Sequence, residues 1–187
     1  DRSLKKLLPQ GPIALKSRSE VIHAVAKYFY KIGQRMDEDQ ISDVFDSVQI
    51  EVRDRLGEYV RPLPGALKFM KKAHDAGIQL CIVTSDKTVN AANAMRICGV
   101  HDYLSCIIGG DLGYGDKSMG GPALQACREL EKDTREVVCI GDARMDWDMH
   151  QNANLLDCLL VSTGQTPPEE LSKLGGHVVP SLDNISL

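Results

Sequence analysis

The sequence predicts an α/β protein, with an open parallel-sheet core following a helical module. Three observations carry that expectation. From residue 66 onward, short apolar runs alternate with helical periods, as parallel strands joined by crossover helices do. The runs are apolar at nearly every position, which fits a sheet covered on both faces. The first third shows helical spacing only, with no strand pattern between its two helices.

Each element follows from local chemistry. Val21, Ile22, Val25, Ala26, Phe29 and Ile32 recur at three-and-four spacing and stop at Gly33. A second helix starts at Asp37 or Asp39, both good caps, and its stripe of Ile41, Val44, Phe45, Val48, Val52 and Leu56 stops at Gly57. Two prolines within Arg61-Pro62-Leu63-Pro64-Gly65 then break the helical pattern. Ala66–Ala76 is predicted helical, ending at Gly77, and residues 78–83 form a buried strand. Helix Thr88–Cys98 closes at Gly99, followed by strand Tyr103–Ile108, helix Pro122–Leu130 and strand Glu136–Ile140. Helix Arg144–Asn152, strand Leu155–Val161, helix Pro168–Leu174 and a short strand His177–Pro180 complete the series.

Composition narrows the function classes. A chain of 187 residues suits one domain, or one with a small insertion. The net charge of −4, from 22 basic and 26 acidic residues, argues against a nucleic-acid partner, which would want a basic face. No apolar run approaches the ~20 residues a membrane span needs, and no signal-peptide pattern stands at the start, so no membrane partner is expected. The 6 cysteines show no CxxC spacing and the 5 histidines are scattered, which reads as reduced core thiols in a cytoplasmic protein rather than a zinc site. Nothing in the sequence speaks to oligomeric state.

Chemistry is expected beyond the carboxyl ends of the strands, where open parallel sheets place their ligand crevice. Thr84, Ser85, Asp86 and Lys87 follow the first strand. Gly109, Gly110 and Asp111 follow the second, opening a glycine-rich loop to Lys117, and Asp142 and Asp146 follow the third. Two carboxylates four residues apart across a glycine turn suit one hard cation, and magnesium favours one or two carboxylates, waters and a substrate phosphate. A threonine hydroxyl can donate to a phosphoryl oxygen, and a lysine can neutralise charge building up during transfer. Taken singly, each residue also has a plainer role. Asp142 can cap a helix, Asp146 can lie on its wet face, Lys117 can be a solvated loop lysine, and Thr84 can simply end a strand. Asp86 fits either the phosphate or a helix cap.

Ile82-Val83-Thr84-Ser85, Lys117 with Pro122 five residues on, and Val137-Val138-Cys139-Ile140-Gly141-Asp142-Ala143-Arg144-Met145-Asp146 resemble the second, third and fourth motifs of haloacid dehalogenase (HAD) superfamily hydrolases. Arg61-Pro62-Leu63-Pro64-Gly65-Ala66 resembles the step from helical cap to core in the phosphoglycolate phosphatase-like branch. Val161-Ser162-Thr163-Gly164-Gln165-Thr166 with Glu169-Glu170-Leu171 resembles the end of that core. Within the lysine motif, Ser118 replaces the usual proline and Gly121 the usual acid.

The resemblance implies a Rossmann-like core over residues 61–187, a helical cap over 13–60 and a remnant of the first motif over 1–12. It implies a magnesium-dependent phosphatase acting on a small phosphorylated metabolite through an aspartyl-phosphate, with the cap as a lid that selects substrate. Thr84, with Ser85, would bind the phosphoryl group and Lys117 would stabilise it, while Asp142 and Asp146 would hold Mg2+. The nucleophile of such enzymes lies in an Asp-x-Asp-Gly-Thr-like motif on the first core strand, and no such motif occurs here. Asp37-Glu38-Asp39 follows no apolar strand, and Asp1 matches a position just after that motif. The sequence therefore predicts a core without its first strand, with the nucleophile upstream. Two rivals remain: an inactive HAD-like binding or scaffold module, and a nucleotide-binding P-loop at Gly110–Ser118, in which Asp116 stands where backbone donors are needed.

Overall fold

The computed structural model describes residues 18–53, 55–164 and 166–187. The predicted remnant at 1–12, the start of the helical module at 13–17 and Gln165 lie outside the described residues. The chain divides into two compact units, one ending at Tyr59 and one running Val60–Leu187.

The first unit is helical. Helices α1 (Arg18–Lys31) and α2 (Glu38–Arg53) pack on one another, and a short α3 (Leu56–Tyr59) follows. Gln40 N donates to Asp37 Oδ1 at 2.8 Å, and Asp37 N donates to Gln40 Oε1 at 3.1 Å. This reciprocal cap selects Asp37 as the start of α2. The Arg18 guanidinium donates to Asp46 at 2.7 Å and lies 5.6 Å from the centre of the Phe45 ring, tying α1 to α2. Val21, Ile22 and Ile41 are buried, but Val44 and Val48 of the predicted stripe are 51% and 52% exposed. Among the described residues of this unit, α1 and α2 cover only part of each other's stripe.

The second unit carries the predicted α/β alternation. Its helices are α4 (Ala66–Asp75), α5 (Thr88–Ile97), α6 (Gly121–Glu129), α7 (Arg144–Ala153) and α8 (Pro168–Leu171). Strands β1 (Cys81–Val83) and β2 (Cys106–Ile108) form one parallel pair. Strands β3 (Val138–Gly141), β4 (Asp157–Val161) and β5 (His177–Val179) form a second parallel sheet, with β4 in the middle. The strands are shorter than the apolar runs that predicted them. In the second run, His101–Tyr103 folds as a 3-10 turn and uses up its start.

The core gathers Cys127, Cys139, Met149, Leu155, Cys158 and Leu160 between β3, β4 and the helices α6 and α7. Among the described residues no strand joins β1 to β3. Both border one largely apolar cavity of about 280 Å³, which Leu80, Ile82 and Val83 line together with Cys139 and Ile140. Among the described residues, no helix is long and apolar enough to cross a membrane.

Candidate functional site

The loop after β3 and the turn before α6 meet over a single carboxylate. Asp146, in the first turn of α7, is 3% exposed. Its Oδ2 accepts from Asp142 N at 3.1 Å and from Ala143 N at 3.0 Å, so it satisfies two backbone donors at the start of α7. Its Oδ1 meets Lys117 Nζ at 2.6 Å. The plainer readings of both residues therefore fail. Asp146 is not on a wet helix face, and Lys117, with a side chain 17% exposed, is not a solvated loop lysine.

Lys117 is delivered by a 3-10 turn, Lys117–Met119, whose cap is Asp116: its Oδ1 accepts from Ser118 N at 2.9 Å and Ser118 Oγ at 2.7 Å. Asn152 of α7 then donates to Ser118 O at 2.9 Å, fixing the turn to the helix that carries Asp146. The P-loop reading fails here as well. Lys117 is committed to a carboxylate, Asp116 caps a turn, and α6 begins only at Gly121.

Asp142 is half-buried at the carboxyl end of β3. A Cβ on Gly164, in the loop after β4, would collide with its carboxylate, and a Cβ on Gly141 would collide with that of Asp146. Glycine at both positions lets the backbone approach the two acids closely. Thr163, next to Gly164, has a buried Oγ1 without a hydrogen-bond partner among the described residues. The oxygen-only donor set suits a hard cation. Among the described residues no cluster of three or more His, Cys, Asp or Glu side chains that could hold a metal ion by itself gathers, so a cation here would need other oxygen donors. One or two carboxylates completed by water fit magnesium.

Thr84 lies outside this cluster of contacts. Its backbone N donates to Ile108 O at 3.0 Å, extending the β1–β2 ladder, and its Oγ1 accepts from Asp86 N at 3.1 Å. Val83, the residue before it, lines the same cavity as Lys117 and Asp146. Ser85 is exposed on the same loop. Asp86 lies just before Lys87, the cap residue of α5, and its Oδ1 accepts from Lys87 N at 2.7 Å and from Asn90 Nδ2 at 2.9 Å, neither of them a first-turn backbone donor of the helix.

Two contributors were named in the sequence without a role of their own. Asp111 Oδ1 accepts from Thr88 N at 2.7 Å and from Thr88 Oγ1 at 2.8 Å, clamping the loop after β2 to the start of α5. Those Thr88 bonds hold its carboxyl below the usual range. Gly164 is the other. The sequence signal for Asp111 was the Gly109-Gly110 pair before it, where a Cβ on Gly110 would meet Ser85 O at 2.5 Å.

Residues 10–160 match the family model for haloacid dehalogenase-like hydrolases. A phosphoglycolate phosphatase of Neisseria meningitidis is 32% identical over 94 residues, 50% of this chain and 40% of that protein. A plasmid-encoded phosphoglycolate phosphatase of Cupriavidus necator is 25% identical over 154 residues, 82% of this chain and 65% of that one. The chain thus spans less than two thirds of either relative's length. Among solved structures, a predicted phosphoglycolate phosphatase from Haemophilus somnus superposes with a TM-score of 0.79 at 13% identity, covering 89% of this chain and 74% of that chain. CbbY from Rhodobacter sphaeroides, solved in complex with phosphate, gives 0.66 at 19% identity and 90% coverage of both chains. These structural likenesses concern the fold.

Proposed function

Because the chain belongs to the haloacid dehalogenase-like hydrolase family, we propose that it is the body of a phosphatase that hydrolyses a small phosphomonoester. The observation that carries this reading is the buried Lys117–Asp146 pair at 2.6 Å beside Asp142, on a loop that follows a core strand. Asp146 is fixed by two backbone donors, so it aims the lysine. An ammonium group has three N–H donors, and those not spent on Asp146 can bind phosphoryl oxygens as negative charge builds. The Thr84 Oγ1 accepts from Asp86 N and keeps its own O–H to donate to the same group. Ser85 is assigned to substrate binding on the same loop.

Asp142, with Asp146 directly or through water, is assigned to hold magnesium. When bound, the ion would supply charge neutralisation at the phosphoryl oxygens. We assign the attacking carboxylate of an aspartyl-phosphate route to a segment outside these 187 residues, and substrate selection to the helical segment 13–60. Support for a small organic phosphate comes from relatives named for phosphoglycolate and from the xylulose-(1,5)bisphosphate in another CbbY structure.

The test is hydrolysis of a chromogenic aryl phosphate by the full-length protein, with magnesium and with a chelator. Activity should vanish on chelation and in Asp142→Asn, and fall about 100- to 1000-fold in Lys117→Ala. Hydrolysis indifferent to chelation and to Asp142→Asn overturns the metal assignment. No hydrolysis of any phosphomonoester by a folded full-length protein overturns the phosphatase reading.

A further inference from the structure

Four of the 6 cysteines stand in two facing pairs on neighbouring strands. Cys81 on β1 is in register with Cys106 on β2, and Cys139 on β3 with Cys158 on β4. All six thiols are free. Residues directly opposed on parallel strands project from the same face of the sheet. Their backbones are about 4.8 Å apart, inside the ~4.4–6.8 Å Cα spacing that disulfides bridge. Both pairs therefore meet the backbone condition for a cross-strand bond.

They differ in access. Cys139 is 7% exposed and Cys158 0%, both inside the main core cluster. Cys81 and Cys106 are only half-buried, their sulfurs lie 2.7 Å apart, and Cys81 lines the cavity between β1 and β3. The pair plays no part in the phosphatase reading and stands independently of it.

We propose that Cys81 and Cys106 are a disulfide-forming dithiol that reacts with a low-molecular-weight disulfide. The Cys106 thiolate attacks one sulfur of that oxidant, forming a mixed disulfide and expelling one thiol. Cys81, giving up its proton, then attacks the Cys106 sulfur and expels the second thiol. Two protein S–H bonds become one S–S bond, and two electrons and two protons leave with the oxidant, now two thiols. The order of attack follows from the pair's electrostatics. Hydrogen bonding with Cys81 holds the Cys106 thiol below its ordinary value, while that bond and burial push Cys81 up. The bond would join positions 25 apart, enclosing α5 and the Thr84–Lys87 loop, and restrict the unfolded chain.

The experiment treats the full-length protein with oxidised glutathione, alkylates the remaining thiols, and maps the peptides by mass spectrometry. A cross-linked pair containing Cys81 and Cys106 should appear, two hydrogens lighter than its parts, and dithiothreitol should abolish it. The oxidised protein should melt at a higher temperature than the reduced one. Cys139 and Cys158 should be alkylated only after unfolding. Cys81→Ser should stop at a single glutathionyl adduct on Cys106, and its circular dichroism should match wild type. Failure to oxidise, a stable glutathionyl adduct on wild-type Cys106 without the cross-link, or preferential pairing of Cys139 with Cys158 would each overturn the proposal.

Discussion

β4 and β1 are both short apolar strands in parallel sheets, yet they end in different environments. β4 has a partner on each edge, and its Cys158 and Leu160 are fully buried. Among the described residues β1 is paired with β2 alone, and all of Cys81–Val83 are half-buried. β3 resembles β1 in this respect: among the described residues it pairs only with β4, and its Val138 is 43% exposed. All three segments are apolar enough to form strands, and among the described residues the one with a neighbour on each edge is the driest. Lys117 and Asp146 lie on the cavity that the two half-covered strands share, away from the closed centre of the other sheet.

The largest expected effect removes the charge pair. Asp146→Ala would leave the Lys117 ammonium without its partner in a mostly buried position and two backbone donors without an acceptor. Breaking a buried pair in this way costs about 3–5 kcal/mol. Urea denaturation should show that loss in Asp146→Ala, and Asp146→Asn, which keeps one acceptor oxygen, should lose less. If Asp146→Ala costs under about 1 kcal/mol, the pair behaves as a surface salt bridge and the site is wetter than its geometry says.

Leu160→Ala empties space in the closed sheet and should cost about 2–5 kcal/mol. Among the described residues Ile82 borders a cavity, so in this 187-residue chain Ile82→Ala should cost less than half as much, since fewer packed contacts are lost. Equal costs for the two would mean that β1 is as well packed as β4, and would remove the contrast.

Much of this architecture was legible because it rests on local patterns. Helix stripes, Gly and Pro punctuation and β-type apolar runs fix the element types from Arg18 to Val179, and Thr84, Lys117 and Asp142 fall on loops after strands as expected. What remained hidden is non-local. Nothing in a stripe says whether a second surface covers it, so Val44 and Val48 read as core and are half exposed. The spacing of Asp142 and Asp146 put both acids at one turn but did not show their unequal surroundings: Asp146 is buried and accepts from Lys117 and two backbone donors. Lys117 is remote from Asp146 in the chain, and only the docking of its turn on α7 through Asn152 brings them together. The contact of Gly164 with the Asp142 carboxylate was hidden for the same reason, although the residue itself stood in a quoted motif.

Gly164 offers the third test. A methyl group there would run into the Asp142 carboxylate. Overpacking of this kind costs about 1–3 kcal/mol, and here it would also displace a proposed metal ligand. Gly164→Ala should therefore lower stability moderately and weaken magnesium dependence more sharply than stability, read by titrating magnesium in the hydrolysis assay. Unchanged stability and an unchanged titration would show that the loop after β4 yields freely.

The smallest effect concerns pH. His150, near the end of α7, is 9% exposed, packs its ring 5.1 Å from that of Trp147, and has a buried Nδ1 without a hydrogen-bond partner among the described residues. Burial lowers its pKa in the folded protein, Arg135 adds to the shift and Asp157 opposes it. A histidine whose folded pKa lies below its unfolded value of about 6.5 takes up protons first in the unfolded chain. Its contribution to stability is therefore fully present above about pH 6.5 and is lost as pH falls through the folded value. Stability measured by denaturation should decline as the solution is acidified below about pH 6.5, and His150→Leu should flatten that decline because it removes the buried base without orphaning a donor. An identical acid slope in His150→Leu and wild type would assign the decline to the carboxylates, with Asp111, whose carboxyl is held low by Thr88, as the next residue to replace.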